Sequence, residues 1–549
     1  MIHFLFFILN PVVFFTIGGV WLLCVGWAAW SKRVHTLVYL TLALGLLFFM
    51  RLPVILYNAE LNPDESQIIA GAISLLHDPV YWRSTDEATS GPLNTYALVW
   101  PGWFGLPIDY LTAHLTGVLL AGGAWLMVFL AVRNVYDNRT ARFALLPALA
   151  LLASTQHFDF IHYSSEHLSL GLLAAAWLLL TRFYRQPSAR LLAGVGLLTG
   201  MVPFAKLQAV PVALLTAAVG FLFALFQPRR GRHVSALVAG GLAFPALAFG
   251  LLIGTGLLKE MLFFYLIANS QYAAHTTFLQ SLARFPAFLL RQPEYAAYLL
   301  SILAIVLVGL LQVIRKKEKI HWQAVALMAS LLLVSAYSII RPGTEYQHYL
   351  LLMIFPLTLL LPVFRRPQTA PSAAFCLLLM VSSLAVAATA VGMRYPKNNF
   401  GAAQHLIQQK PVSKAILTFA SPGQPIVIWG WMPKYYVETQ CRQGVNDGNT
   451  IRCIFGSPNV LHSYRRRLMR DMSRSKPVLF IDVTGPNSMW FNDRKQFGHE
   501  VIMPELGAYI RKHYAYVGLV DDTRLYLRKD LVKPGILAAH PAVRWQKSS

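Results

Sequence analysis

Long apolar runs constrain this chain more than any other feature. A helix needs about 20 mostly apolar residues to cross a bilayer, because lipid offers backbone amides no hydrogen-bonding partner. Twelve stretches meet or approach that demand, near residues 5–29, 35–56, 111–132, 143–160, 166–183, 191–205, 207–226, 234–258, 295–314, 320–340, 347–364 and 372–393. The sixth is short and ends on Pro203 and Lys206, which predicts a broken or re-entrant segment. Of 549 residues, 56% are apolar and only 13% are Asp, Glu, Lys or Arg, against roughly 25% charged residues in an average soluble domain. This excludes a disordered chain, a coiled coil and an ordinary soluble enzyme. Four cysteines exclude a disulfide-built scaffold.

The chain carries 47 basic and 24 acidic residues, a net +23. In a soluble protein this excess would suggest nucleic acid. In a polytopic one it is first a matter of topology, and no nucleic-acid partner is expected. One alternate set of loops is 31–33, 133–142, 182–190, 227–233, 315–319 and 365–366, and it holds 17 Lys and Arg. The other is 51–109, 156–167, Lys206, 259–294 and 341–348, and it holds 7. The positive-inside rule assigns the first set to the cytoplasm. The acidic residues sort the other way: before residue 394, only Asp137 and Glu318 fall inside. Both termini are then expected outside. Met1-Ile2-His3-Phe4 carries no Lys or Arg, so no cleaved signal peptide is expected.

Residues 1–393 therefore read as a transmembrane domain with outer loops 57–110, 156–167, 259–294 and 341–348. Arg394-Tyr395-Pro396-Lys397 ends the last span, and residues 394–549 read as an outer α/β domain. Short β-rich stretches at 425–431, 477–483, 514–520 and 523–528 alternate with helical patterns near 459–474 and 503–513. This region has 23 Lys and Arg and 10 Asp and Glu. Lying outside, it owes its excess to something other than the inside rule. Anionic lipid head groups or a charged glycan are candidate partners, with a merely solvated basic face as the alternative. Cys441 and Cys453 share this domain and are a disulfide candidate, with two free thiols as the alternative.

Ionisable residues beside the bilayer are functional candidates. The first outer loop opens with Asn62-Pro63-Asp64-Glu65-Ser66, followed by a helical pattern with Ile68, Ile69, Ala72, Ile73, Leu75 and Leu76 on one side. The acids fit a helix start; one of them also fits a general base close to the membrane surface. Tyr81-Trp82-Arg83 and Ser90-Gly91-Pro92-Leu93-Asn94-Thr95-Tyr96 form a turn-rich aromatic stretch suited to an interface. The second outer turn packs His157, Asp159, His162, Glu166 and His167 into twelve residues. Asp159, His162 and Glu166 could ligate a divalent metal, or bind substrate hydroxyls. Lys206, in an apolar stretch, would either snorkel outward or meet a phosphate. Arg341, with Tyr346 and His348, closes the tenth span, and arginine can grip a phosphate with two bonds.

The order and sidedness of these motifs resemble the GT-C glycosyltransferases, especially bacterial members related to protein O-mannosyltransferases and aminoarabinose lipid A transferases. The resemblance rests on Asp64-Glu65, the second acidic turn, Lys206 after the sixth span, the turn at 341–349, and an outer domain containing Ile428-Trp429-Gly430-Trp431. It implies a polytopic α-helical membrane protein of about 12 spans with an extracytoplasmic α/β domain. It also implies an inverting transferase on the outer face of the bacterial cytoplasmic membrane, taking a sugar from a polyprenyl-phosphate donor to a glycan, lipid or protein acceptor. Asp64 would be the base. Glu65, Asp159, His162, Glu166, Ser90 and Tyr96 would hold acceptor or sugar; Lys206, Arg341, Tyr346 and His348 would hold the donor phosphate. No cofactor is required, and a divalent metal is a candidate. Members of the family start inside with the acidic loop after span one, whereas here an extra span precedes it. A transporter or flippase would show internal repeats and mid-span charges, and neither is evident here. A non-catalytic glycan-binding protein is the other reading, separable by substitution of Asp64.

Overall fold

The computed structural model describes residues 11–272, 277–315, 317, 320–363, 372–392 and 406–532. The readings at Met1–Phe4, Glu318, Arg365, Arg366 and 394–397 lie outside the described residues. The chain divides into two compact units, one of Met1–Tyr57, His114–Leu251 and Ala273–Ala403, the other of Asn58–Ala113, Leu252–Tyr272 and Gln404–Ser549.

The protein is a multi-pass membrane protein. Among the described residues, nine helices are long and apolar enough to cross a bilayer: Pro11–Trp30, Thr36–Ile55, Tyr110–Val135, Glu166–Arg185, Leu207–Leu225, Arg230–Gly254, Pro293–Arg315, Trp322–Ile340 and Ala373–Gly392. They coincide with nine of the twelve apolar stretches. The other three are helical but shorter. The stretch near 143–160 breaks into Asn138–Ala144 and Leu146–Ser154, with Pro147 opening the second piece. The sixth is Ala189–Ala205, where Lys206 adopts an extended backbone and a 3₁₀ turn at Leu207–Ala209 follows. The eleventh is Gln347–Leu360, whose first turn is also 3₁₀. Apolar composition is thus correctly read as helix, but three of the stretches form shorter helices than a full span.

Small residues set one helix crossing in this unit. A Cβ at Gly196 would overlap the Leu237 carbonyl, and one at Gly240 the Ala193 carbonyl. Ala189–Ala205 and Arg230–Gly254 therefore approach backbone to backbone, the usual route to tight packing where lipid supplies no hydrophobic drive.

In the second unit a five-stranded sheet has the order β2-β1-β3-β5-β4. Its strands are β1 Pro425–Trp429, β2 Arg442–Gln443, β3 Leu479–Asp482, β4 Tyr514–Val520 and β5 Thr523–Arg528. β1 pairs in parallel with β2 and β3, whereas β5 runs antiparallel to β3 and β4. The β4–β5 turn places Asp521 and Asp522 at φ 45° and 60°, as a two-residue primed turn requires. Period-two alternation sends Ile426, Ile428, Leu479 and Ile481 into one apolar cluster, and Val427, Trp429 and Phe480 into the other. The four predicted strands and both predicted helices (Pro458–Ser475 and Pro504–His513) are present. The two-residue β2 has too little pattern to be foreseen.

The alternation also corrects the disulfide expectation. Cys441 lies in the first cluster and Cys453 in the second, on opposite faces of the sheet. Both are buried free thiols, and the sheet between them keeps them from bonding.

Candidate active site

The turn at 156–167 follows the early end of the Leu146–Ser154 helix. A single turn, Phe158–Ile161, follows, and its cap His157 accepts the Asp159 N–H at 3.1 Å. Asp159 then reaches an element 188 residues away. Its Oδ2 accepts the N–H groups of Gln347 (2.8 Å) and His348 (3.3 Å), and its Oδ1 faces His348 Nδ1 at 3.1 Å. Those N–H groups begin a helix and have no partner within it, so Asp159 caps that helix from outside and places a carboxylate where the helix dipole favours one. Burial alone would raise the Asp159 pKa. The opposing influence of His348, then of His162 and His157, prevails and holds it well below the usual carboxylate range.

Lys206 does not snorkel. It is 5% exposed. Its Nζ lies 2.9 Å from Glu166 Oε1 and donates to Ser165 Oγ at 2.5 Å, with the face of Tyr349 5.5 Å away. The extended residue between the Ala189–Ala205 helix and the 3₁₀ turn is what lets a lysine point inward here. Tyr346 stacks on His348 with ring centroids 5.6 Å apart. Arg341 caps the Trp322–Ile340 helix and is exposed.

The candidate metal set differs from the expected one. Glu166 is committed to Lys206, and His348 takes its place: Asp159, His162 and His348 bring three ligand atoms within 4.8 Å of one another. His162 Nδ1 lies 3.0 Å from the Phe158 carbonyl, while its Nε2 is buried with no hydrogen-bond partner among the described residues. A ligating histidine is held in this way, one nitrogen oriented by a carbonyl and the other presented to the ion. The N,N,O donor set suits zinc or manganese.

The remaining predicted residues lie in the other unit. The helix expected after Asn62 runs Pro63–His77. Asn62 Oδ1 accepts the Asp64 N–H at 2.9 Å, and Glu65 Oε1 accepts the N–H groups of Leu61 (2.6 Å) and Asn62 (3.4 Å). This is a capping box, so Glu65, expected to hold sugar, holds the chain entry here. Asp64 is half-buried in the first turn. Ile68, Ile69, Ala72, Ile73 and Leu75 are buried as expected and Leu76 is exposed, while Ser66, Gln67 and Ser74 are buried too, because this helix is packed on more than one side. Ser90 accepts from Asn94 at 3.4 Å, and Tyr96 donates to the Pro79 carbonyl at 2.6 Å, so both brace their own loop.

Sequence reading missed several buried ionisable groups of this second unit. Glu60 accepts from Ser66 Oγ at 2.5 Å, and burial raises its pKa. Burial likewise pushes Glu87 up to about 8, against hydrogen bonds from Thr85 and Gln443. Arg467 joins Asp86 at 2.8 Å and also pairs with Asp447. These partners lie up to 381 residues apart, and no local spacing could announce them.

The apolar helices and the sheet-bearing unit together define a polytopic α-helical membrane protein with a C-terminal sheet. The fold is similar to that of ArnT from Cupriavidus metallidurans bound to undecaprenyl phosphate. The TM-score is 0.54 and the identity 13%, over 90% of this chain and 99% of that one. The same enzyme in the apo state gives a TM-score of 0.52 over the same coverage. The oligosaccharyltransferase of Archaeoglobus fulgidus matches with a TM-score of 0.44 at 13% identity, over 82% of this chain and 70% of that one. No family model matches the sequence, and no curated protein matches it.

Proposed function

We propose that this protein is an inverting glycosyltransferase that takes a sugar from a polyprenyl-phosphate donor to an acceptor hydroxyl. It would act at the outer face of the bacterial cytoplasmic membrane. The observation that carries this reading is the likeness to a fold whose solved example holds undecaprenyl phosphate. The buried Lys206, at the end of an apolar helix and beside polar turns, supports it.

In this reading Asp64 accepts the proton of the acceptor hydroxyl as that oxygen bonds to the anomeric carbon. The bond from that carbon to the phosphate oxygen breaks, and polyprenyl phosphate leaves with the electron pair. Inversion requires attack opposite the leaving group. Lys206 and Arg341 stabilise the charge that builds on the phosphate, and Tyr346 and His348 assist them. Glu166 and Ser165 hold the Lys206 side chain in place until a phosphate arrives. A divalent ion, if bound, would be held by Asp159, His162 and His348 and would supply further positive charge. Glycan, lipid and protein remain the acceptor classes of this proposal.

The test is Asp64→Asn in protein purified with its membrane lipid, scored for release of polyprenyl phosphate. Transfer should fall at least about 100-fold. Melting should stay unchanged, because Asn62 and Glu65 still form the capping box. Unaltered transfer would remove Asp64 from the reaction. Movement of intact lipid-linked sugar across the bilayer, without cleavage, would replace the transferase with a flippase.

A further inference from the structure

The proposed reaction leaves unused a polar cleft of about 320 Å³ in the sheet-bearing unit. It lies along β2, the edge strand of the sheet. Arg442 comes from that strand, Arg474 from the last turn of the Pro458–Ser475 helix, and Arg83 with Asp78 from the segment after the Pro63–His77 helix. Three arginines therefore face one carboxylate in a space the size of a small ligand.

The three cations are balanced unequally. Arg83 grips Asp78 with two bonds, Nε to Oδ2 at 2.8 Å and Nη2 to Oδ1 at 2.5 Å, so that charge is neutralised. Arg474 donates to the Arg83 carbonyl at 2.8 Å and to Asn446 Oδ1 at 3.3 Å, and its carboxylate partner is Asp471, 3.6 Å away, which Arg470 also contacts at 3.2 Å. Arg442 donates Nε to the Gly423 carbonyl at 3.1 Å and pairs with no carboxylate among the described residues. That carbonyl bond orients the guanidinium while leaving its two terminal nitrogens for another acceptor. The positive field is felt nearby: burial, and then Arg442, lower the pKa of His77. Guanidinium forks match planar carboxylates and phosphates geometrically, and the unbalanced charge lies on arginine rather than lysine. Ser74 and Ser475 add hydroxyls to the lining.

We propose that this cleft is an oxyanion-binding site, taking the phosphate or carboxylate of a sugar-sized ligand. Arg442 and Arg474 bind the anion, and Arg83, braced by Asp78, shapes the rim. The site is separate from the residues assigned to transfer, and its test reads binding rather than activity. It therefore stands or falls independently of the proposed reaction.

The experiment is isothermal titration of the full-length protein in nanodiscs with glucose 6-phosphate, glucuronate and glucose. At least one anion should bind at least about tenfold more tightly than glucose, and added salt should weaken it. Binding of glucose 6-phosphate alone identifies a phosphate ester as the ligand class, and binding of glucuronate alone a uronate. Arg442→Gln should weaken that anion at least tenfold, and Arg442→Lys by less, since it keeps the charge but loses the fork. Because Arg442 also holds Gly423, Arg474→Gln serves as a second variant acting from a different element, and melting temperatures confirm that each protein is folded. Anions binding no better than glucose, or binding equally to wild type and both folded Gln variants, would overturn the site.

Discussion

Lys206 and Arg467 are both buried cations, but the two units hold them in opposite ways. Lys206 has one carboxylate, one hydroxyl and one aromatic face, all supplied by elements that end beside it. Arg467 has two carboxylates, Asp86 and Asp447, and lies over Phe264 and Tyr464 with centroids 3.5 and 4.7 Å away. A lysine on a flexible stem with a single counter-charge can turn toward an incoming phosphate. An arginine clamped by two acids and two rings cannot. In the proposed reaction this difference would separate a charge held for a ligand from a charge that ties chain segments together.

Three experiments would break or sharpen this contrast. The largest effect is expected at Lys206. Lys206→Met should reduce transfer at least about 100-fold, the scale of losing one group that stabilises developing charge. Because the single change strands Glu166 in a buried place, Lys206→Met with Glu166→Gln should restore melting but leave transfer lost. Transfer recovered by the double variant would make Lys206 a purely structural partner of Glu166. Next comes Arg467→Met, which leaves Asp86 and Asp447 buried without their cation. A loss of about 3–5 kcal/mol is expected, seen as a lowered melting temperature for the full-length protein. A small change there would mean that the clamp is not architectural.

The smallest effect concerns Glu87. Its folded pKa is about 8 against an ordinary 4.5, so between those values the folded state holds a proton that the unfolded state has lost. Its contribution to stability is therefore fully present below about pH 4.5 and declines as pH rises toward 8. Glu87→Gln mimics the protonated form. It should leave melting near pH 5 almost unchanged and flatten the decline from pH 5 to 8. An undiminished slope in the variant would place that decline on other groups.

Much of this was legible along the chain, for particular reasons. Asn62 and Glu65 stand three apart ahead of an apolar run, and the capping box they form is a local motif. Two adjacent acids look alike in sequence, and only the backbone N–H groups of Leu61 and Asn62 distinguish the cap Glu65 from its neighbour Asp64. Lys206 was conspicuous as a charge among apolar residues, but its direction was not, because snorkelling and burial share one pattern. His348 was found as a phosphate candidate, whereas its grouping with Asp159 and His162 depends on a contact across 189 residues. Cys441 and Cys453 looked pairable at twelve residues' distance until the sheet came between them.

What the sequence by itself determined is whatever repeats locally. The apolar runs had to become helices, since lipid satisfies no backbone amide, and alternating residues had to divide between the faces of a sheet. Only the tertiary structure decided which charge meets which: Glu166 with Lys206, Asp159 with the start of a distant helix, Arg467 with two acids from separate segments. The reason is physical. Hydrogen bonding along a helix or between strands has a fixed period that the residue order carries, whereas a buried charge takes its partner from whichever element the fold brings within a few ångströms, and that choice leaves no trace in the spacing of residues along the chain.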